Sequence, residues 1–121
     1  MPKALAVRVT GEAFIEPSVK SFHAATFHVY VEDVSLVDTS AKQLATRHIR
    51  NVSHQQGEAT TLPFSISFAV HDRRSDHIVR AHISMTGNQD IEQGDLLTVQ
   101  SYPVPFAPHV EGITLHLREL I

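Results

Sequence analysis

Leu62-Pro63-Phe64-Ser65-Ile66-Ser67-Phe68-Ala69-Val70 decides the fold class. Phe64, Ile66, Phe68 and Val70 fall on one face and Ser65, Ser67 and Ala69 on the other, the period of two of a strand buried on one side. A helix would need its large apolar side chains three and four residues apart. Pro63 stands at the beginning of the run, where a missing backbone donor is tolerated. Downstream, Ile78 to Met85 alternates in the same way, with Val79, Ala81, Ile83 and Met85 opposite Arg80, His82 and Ser84. An antiparallel hairpin between these two runs, turning through Asp72 to His77, sets Val70 against Val79, Phe68 against Ala81, Ile66 against Ile83 and Phe64 against Met85. It buries all eight together, because directly opposed residues share a face.

Upstream, Leu5, Val7 and Val9 alternate with Ala6, Arg8 and Thr10, and Gly11 suggests a bulge or bend before Phe14-Ile15. Thr26 to Val34 puts Phe27, Val29 and Val31 on one side and is rich in the β-branched and aromatic residues that suit a strand. Asp33 to Gln43 breaks the alternation with Asp, Ser and Thr, the residues of turns and caps, and fits a connection or one helical turn. Leu44 to Val52 is a weaker strand. Toward the end, Leu96 to Tyr102 and Gly112 to Leu120 are strands separated by Pro103, Pro105 and Pro108, which cannot donate to a central ladder and so mark an edge or crossing segment. Turns are expected at Thr86-Gly87-Asn88 and Gln93-Gly94-Asp95. About seven short strands without a long amphipathic helix predict an all-β, two-layer antiparallel sandwich over residues 1–121, with a closed barrel as the competing architecture.

The 121 residues suffice for one domain, and 42% hydrophobic with 19% charged residues is the balance of a packed globular chain. A formal charge of -3 gives no field to attract a polyanion, so nucleic acid is excluded as an expected partner. The densest basic spot, Arg73-Arg74, is flanked by Asp72 and Asp76 and reads as a solvated loop tip. Thiolate metal sites, disulfides and thiol catalysis are ruled out because the sequence holds no cysteine. Met1 to Thr10, with Lys3 and an apolar run broken by Arg8, is too short and polar for a membrane span or a secretory core.

Chemistry leaves few marks. The glycines form neither GxGxxG nor a P-loop, and no serine sits in a nucleophile elbow. Ser35, between Asp33 and Asp38, reads as part of a capped turn. His71, Asp72, Asp76, His77 and His82 offer five donors of the types that bind transition metals, yet neither HExxH nor His-x-His occurs. Surface strand histidines are the simpler expectation, with His71 and His82 on the outward face as the alternative metal or small-ligand pair. No cofactor is expected.

VEDVSLVD (Val31 to Asp38), LPFSISF (Leu62 to Phe68), IVRAHIS (Ile78 to Ser84) and SYPV (Ser101 to Val104), in this order, resemble the YscW-like proteins. These are lipoprotein chaperones, or pilotins, of type III secretion, together with the related YbaY-like envelope lipoproteins. The resemblance runs from about Val9 to Leu120 and implies a β-sandwich whose best-known members bind the C-terminal tail of an outer-membrane secretin. It also implies an address in the periplasm or at the outer membrane, reached there by an acylated cysteine of a kind absent from these residues. The expected function is therefore non-enzymatic binding of a peptide or protein, along a strand edge or in a groove between sheets. The candidate rim is Tyr102, Pro103, Pro105 and Phe106. A small-ligand or metal-binding protein and a structural envelope protein are the alternatives.

Overall fold

A computed structural model describes residues 4–35, 42–72, 74–88 and 90–120. Expectations placed on Lys3, Asp38 and Arg73, and on residues 36–41 between the second and third strands, fall outside them. The strands are β1 (Leu5–Ile15), β2 (Phe22–Asp33), β3 (Lys42–His54), β4 (Thr60–Val70), β5 (His77–Ser84), β6 (Leu96–Thr98), β7 (Tyr102–Pro103) and β8 (His109–Glu119). The chain is all-β, as the alternation requires.

Hydrogen bonds link the strands in the order β3-β2-β5-β6-β8-β1-β4, with β7 added beside β5. One layer holds β4, β1 and the first part of β8; the other holds β3, β2, β5 and the short β6 and β7. β8 belongs to both, because His109 to His116 run parallel to β1 while Leu117 to Glu119 pair antiparallel with β6. The two layers are thereby joined along one side, and the sheet is nearly closed in the manner of a barrel rather than split into two separate sheets. Phe27, Val29, Val31, Val79 and Ile83 from one layer and Val7, Val9, Phe64, Ile66 and Phe68 from the other are buried between them. The Phe27 and Phe64 rings meet edge to face with centroids 6.4 Å apart, a favoured aromatic geometry.

The hairpin expected between Leu62–Val70 and Ile78–Met85 does not form. β4 pairs with β1, Phe68 lying opposite Val7 and Ile66 opposite Val9. β5 pairs with β2, Ala81 lying opposite Val29 and Ile83 opposite Phe27. The inward assignment of Phe64, Ile66, Phe68 and Val70 is correct, since all four are buried. Alternation fixes which face of a strand is hidden, but a neighbour in the same sheet and a strand across the core hide it equally well. The segment after Val70 is therefore a crossover between layers, tipped by an exposed Arg74–Asp72 pair at 3.3 Å. Its Asp76 N–H donates to the hydroxyl of Ser35, just beyond β2, and Asp33 accepts the Ser35 N–H at 2.9 Å, so Asp33 caps the end of β2 as expected.

Two further boundaries differ from expectation. Leu96–Tyr102 is interrupted at Val99–Ser101 into β6 and β7, and β8 starts at His109 rather than Gly112. At the other end of the molecule His54 pins the β3–β4 turn. Its Nε2–H donates to the Val19 carbonyl at 3.0 Å, which leaves Nδ1 to accept from the Thr60 hydroxyl at 2.6 Å.

Gly11 lies where the β1–β8 register shifts, between Val9↔Val110 and Gly11↔Ile113. A Cβ there would run into the Ile113 carbonyl oxygen and come within 3.1 Å of the Phe64 ring. Gly11→Ala is expected to destabilise the domain by about 1–3 kcal/mol through overpacking against backbone that cannot swing away. Urea unfolding at an unchanged m-value checks this, and an unaltered midpoint contradicts the close approach.

Candidate functional site

The expected rim lies at the edge of β5 where the chain leaves one layer for the other. Tyr102 and Pro103 pair with Val79 and Ile78, and the Val104 N–H donates to the His77 carbonyl at 2.9 Å. Pro108 has already reached β1, its carbonyl accepting the Arg8 N–H at 2.9 Å. Between these anchors the prolines do what their chemistry predicts, carrying backbone across a gap without asking for ladder donors. Tyr102 is half-buried, and its hydroxyl oxygen accepts from the His116 N–H and from Gln100 Nε2, each at 2.9 Å. Pro103 and Pro105 are exposed, and Phe106 is 46% exposed. The four residues thus lie along one anchored crossing segment, with Tyr102 as its fixed end.

His71 and His82 do not come together. His71 is exposed just beyond β4, whereas His82, in mid-β5, is only 1% exposed. Among the described residues no group of three or more His, Asp or Glu side chains is placed to hold a metal. His82 does point away from the core, as alternation demands, but Asp95, bonded to the Met85 and Glu92 amides, closes on it from that side, and it is buried. His77, expected in the connection, instead opens β5 and packs against Phe68 with ring centroids 5.3 Å apart.

What surrounds His82 is a cross-strand row. His28 of β2 lies opposite His82 on one side and opposite His48 of β3 on the other. The His28 and His82 rings stack at 5.3 Å, and His28 Nδ1 is 2.6 Å from His48 Nδ1, so one ring donates and the other accepts. On the far side His82 Nε2–H donates to Asp95 Oδ2 at 2.8 Å. Asp95 also accepts the Met85 N–H at 3.0 Å and the Glu92 N–H at 2.9 Å, closing the loop on itself. Gly94, at φ 94°, supplies the left-handed residue that this turn needs before Asp95. Beside the row, a cavity of about 200 Å³ is lined by His28, Tyr30, Thr46, His48 and Ile91.

The electrostatics follow from burial. Burial by itself raises the Asp95 pKa, but the hydrogen bonds from the Met85 amide, His82 and the Glu92 amide outweigh it and hold the carboxyl below its ordinary value. His28 is pushed below the ordinary histidine value first by burial, then by the nearby His48 and His82 rings, against weaker opposing pulls from the Asn88 backbone and Asp95. Its Nε2 is buried without a hydrogen-bond partner among the described residues. Two imidazolium rings cannot keep the His28–His48 bond, since neither then has an acceptor nitrogen. The arrangement is a latch that holds a loop against β5.

Sequence reasoning named His82 and missed His28, His48 and Asp95. His28 and His82 each stood on an outward face, but only the knowledge that β2 lies beside β5 brings them into one row.

Because the His28 pKa is lowered on folding, its contribution to stability is complete above about pH 6.5, the unfolded value, and is lost as pH falls through the folded one. An NMR titration of the imidazole resonances is expected to place His28 below free histidine; a midpoint at or above the free value contradicts the latch geometry. Asp95→Ala strands one buried donor, His82 Nε2, and two half-buried ones, the Met85 and Glu92 amides, and is expected to cost about 1–3 kcal/mol in chemical unfolding. A loss below about 0.5 kcal/mol, the range of surface substitutions, would contradict this role.

No curated protein matches this sequence. Among solved structures, an alternative pilotin from the type II secretion system of Vibrio cholerae is similar, with a TM-score of 0.66 at 21% identity over 94% of this chain and 98% of that one. At that identity the likeness shows a shared fold. Residues 4–104, from the start of β1 through β7, match the family of the type III secretion system lipoprotein chaperone YscW, a family of chaperones rather than of enzymes. With most of its length so matched, the chain belongs to the YscW family of type III secretion lipoprotein chaperones.

Proposed function

We propose that this protein is a pilotin-like chaperone that captures a segment of a secretion-system partner and carries out no chemical step. The partner suggested by the family is the C-terminal tail of an outer-membrane secretin, and the docking surface is the crossing segment Tyr102, Pro103, Pro105 and Phe106. The observation that carries this choice is apolar exposure on a fixed frame: Val99 is 62% and Phe106 46% exposed, on either side of β7. Exposed apolar side chains that fall within a few residues of one another along a fixed segment offer a partner apolar surface to cover. Tyr102, tied to His116 and Gln100, and the prolines restrict the segment before any partner arrives, so little ordering entropy is lost on docking. Recognition there runs through side chains, because Pro103 and Pro105 have no N–H to offer an added strand. The His82–Asp95 pair is buried and committed to holding its loop, which suits a rigid binding module.

Phe106→Asp is expected to weaken capture of a labelled secretin-tail peptide by about tenfold or more, measured well below the variant's own melting temperature. Fluorescence anisotropy reads the affinity. An equal affinity in the variant would remove the docking surface, and no binding of the tail by the unaltered protein would remove the partner.

A further inference from the structure

β3 and β4 are the two ends of the hydrogen-bonded path, each with a ladder partner on one side only among the described residues. The two edges are guarded differently. β4 carries Pro63 within its run and no charged residue. β3 has neither proline nor acidic residue, and it concentrates Lys42, Arg47 and Arg50 in a chain whose formal charge is -3. Its ladder with β2 shifts register after Val31 and again around Ala25, where Asn51 and Ala24 take φ values of 62° and 57°. Between these irregularities Ala45 to Ile49 form an unbroken ladder with Val31 to Phe27.

Ala45, Arg47 and Ile49 lie opposite Val31, Val29 and Phe27, whose side chains are buried in the core, so all three belong to the inner face. Ala45 and Ile49 are half-buried against that core, while Arg47 is exposed between them. The inner face of β3 therefore extends the apolar interior to the sheet's open edge and sets a cation in its middle. A second copy of β3 docking here would bring basic strand against basic strand, which is unfavourable for directly opposed residues. An acidic strand meets the reverse situation.

We propose that the Ala45–Ile49 edge of β3 accepts an added strand from a partner segment of the pattern apolar–x–Asp/Glu–x–apolar. Backbone N–H and C=O groups of the edge supply the ladder, the acidic side chain sits across from Arg47, and the flanking apolar side chains cover Ala45 and Ile49. This surface lies at the opposite side of its layer from Tyr102–Phe106 and stands independently of that docking site.

The probe is a synthetic peptide centred on Val-Thr-Glu-Thr-Val, compared with its Glu→Lys version and with anionic phospholipid vesicles. Anisotropy at about 0.15 M salt and amide hydrogen exchange are the readouts. The acidic peptide is expected to bind and the Lys version not, with slowed exchange at Thr46 to Arg50. Arg47→Glu is expected to lose about tenfold or more in affinity and Arg47→Lys to keep most of it, both with unchanged melting because Arg47 is exposed. Absence of binding, equal binding of the two peptides, an unchanged affinity in Arg47→Glu, protection elsewhere, or binding of vesicles alone would each overturn the proposal. Phe106→Asp leaves this peptide's affinity unchanged, so failure here and failure of the Tyr102–Phe106 surface are told apart.

Discussion

The fold depends on β8 being hydrogen-bonded along its length to strands of both layers. Its early residues run parallel to β1 and its last ones antiparallel to β6, so a single strand turns two stacked sheets into one nearly closed sheet. Side-chain burial alone would hold the layers together but would leave β1, β6 and β8 with unpaired edges, which proteins avoid exposing. The pairing needs close backbone approach at one point, where Gly11 passes the Ile113 carbonyl and any Cβ would collide with it. Joining the first strand to the last is also the least local contact the chain can make, so closure comes late in any route that builds local structure first.

The consequences spread from this closure to the surfaces. With β8 occupying one side, the sheet's open ends fall at β3 and β4, and the chain must cross between layers just before β8 begins. The prolines at 103, 105 and 108 serve that crossing. The outer face of β2 and β5 is sealed separately, by a loop drawn down through Asp95 onto His82 and backed by the stacked His28. Rigid closure on one side and two distinct edges on the others suit a protein that presents fixed surfaces to partners.

Much of the fold was legible in the residues and little of the pairing. Phe64, Ile66, Phe68, Val79 and Ile83 announced their buried faces by alternation, and Asp33 and Gly94 announced their turns. Strand neighbours were not announced, because facing layers and adjacent strands bury the same side chains; the expected β4–β5 hairpin fell for that reason. The broken β6–β7 strand was hidden by Val99, which continues the apolar pattern although it points into solvent. His82 was placed on the correct face, yet its burial depended on a loop whose course no periodicity describes. Tyr102 to Phe106 was legible as a crossing because proline lacks an N–H, while the row of His28, His48 and His82 needed three strands to be set side by side first.

The most direct test of the double pairing is a set of inter-strand proton NOEs in solution. Parallel contacts between Val9 and Val110, together with antiparallel contacts between Leu97 and Arg118, are the predicted result. Contacts showing β8 antiparallel to β1, or β8 paired within one layer only, would contradict the joined, nearly closed sheet on which the whole account stands.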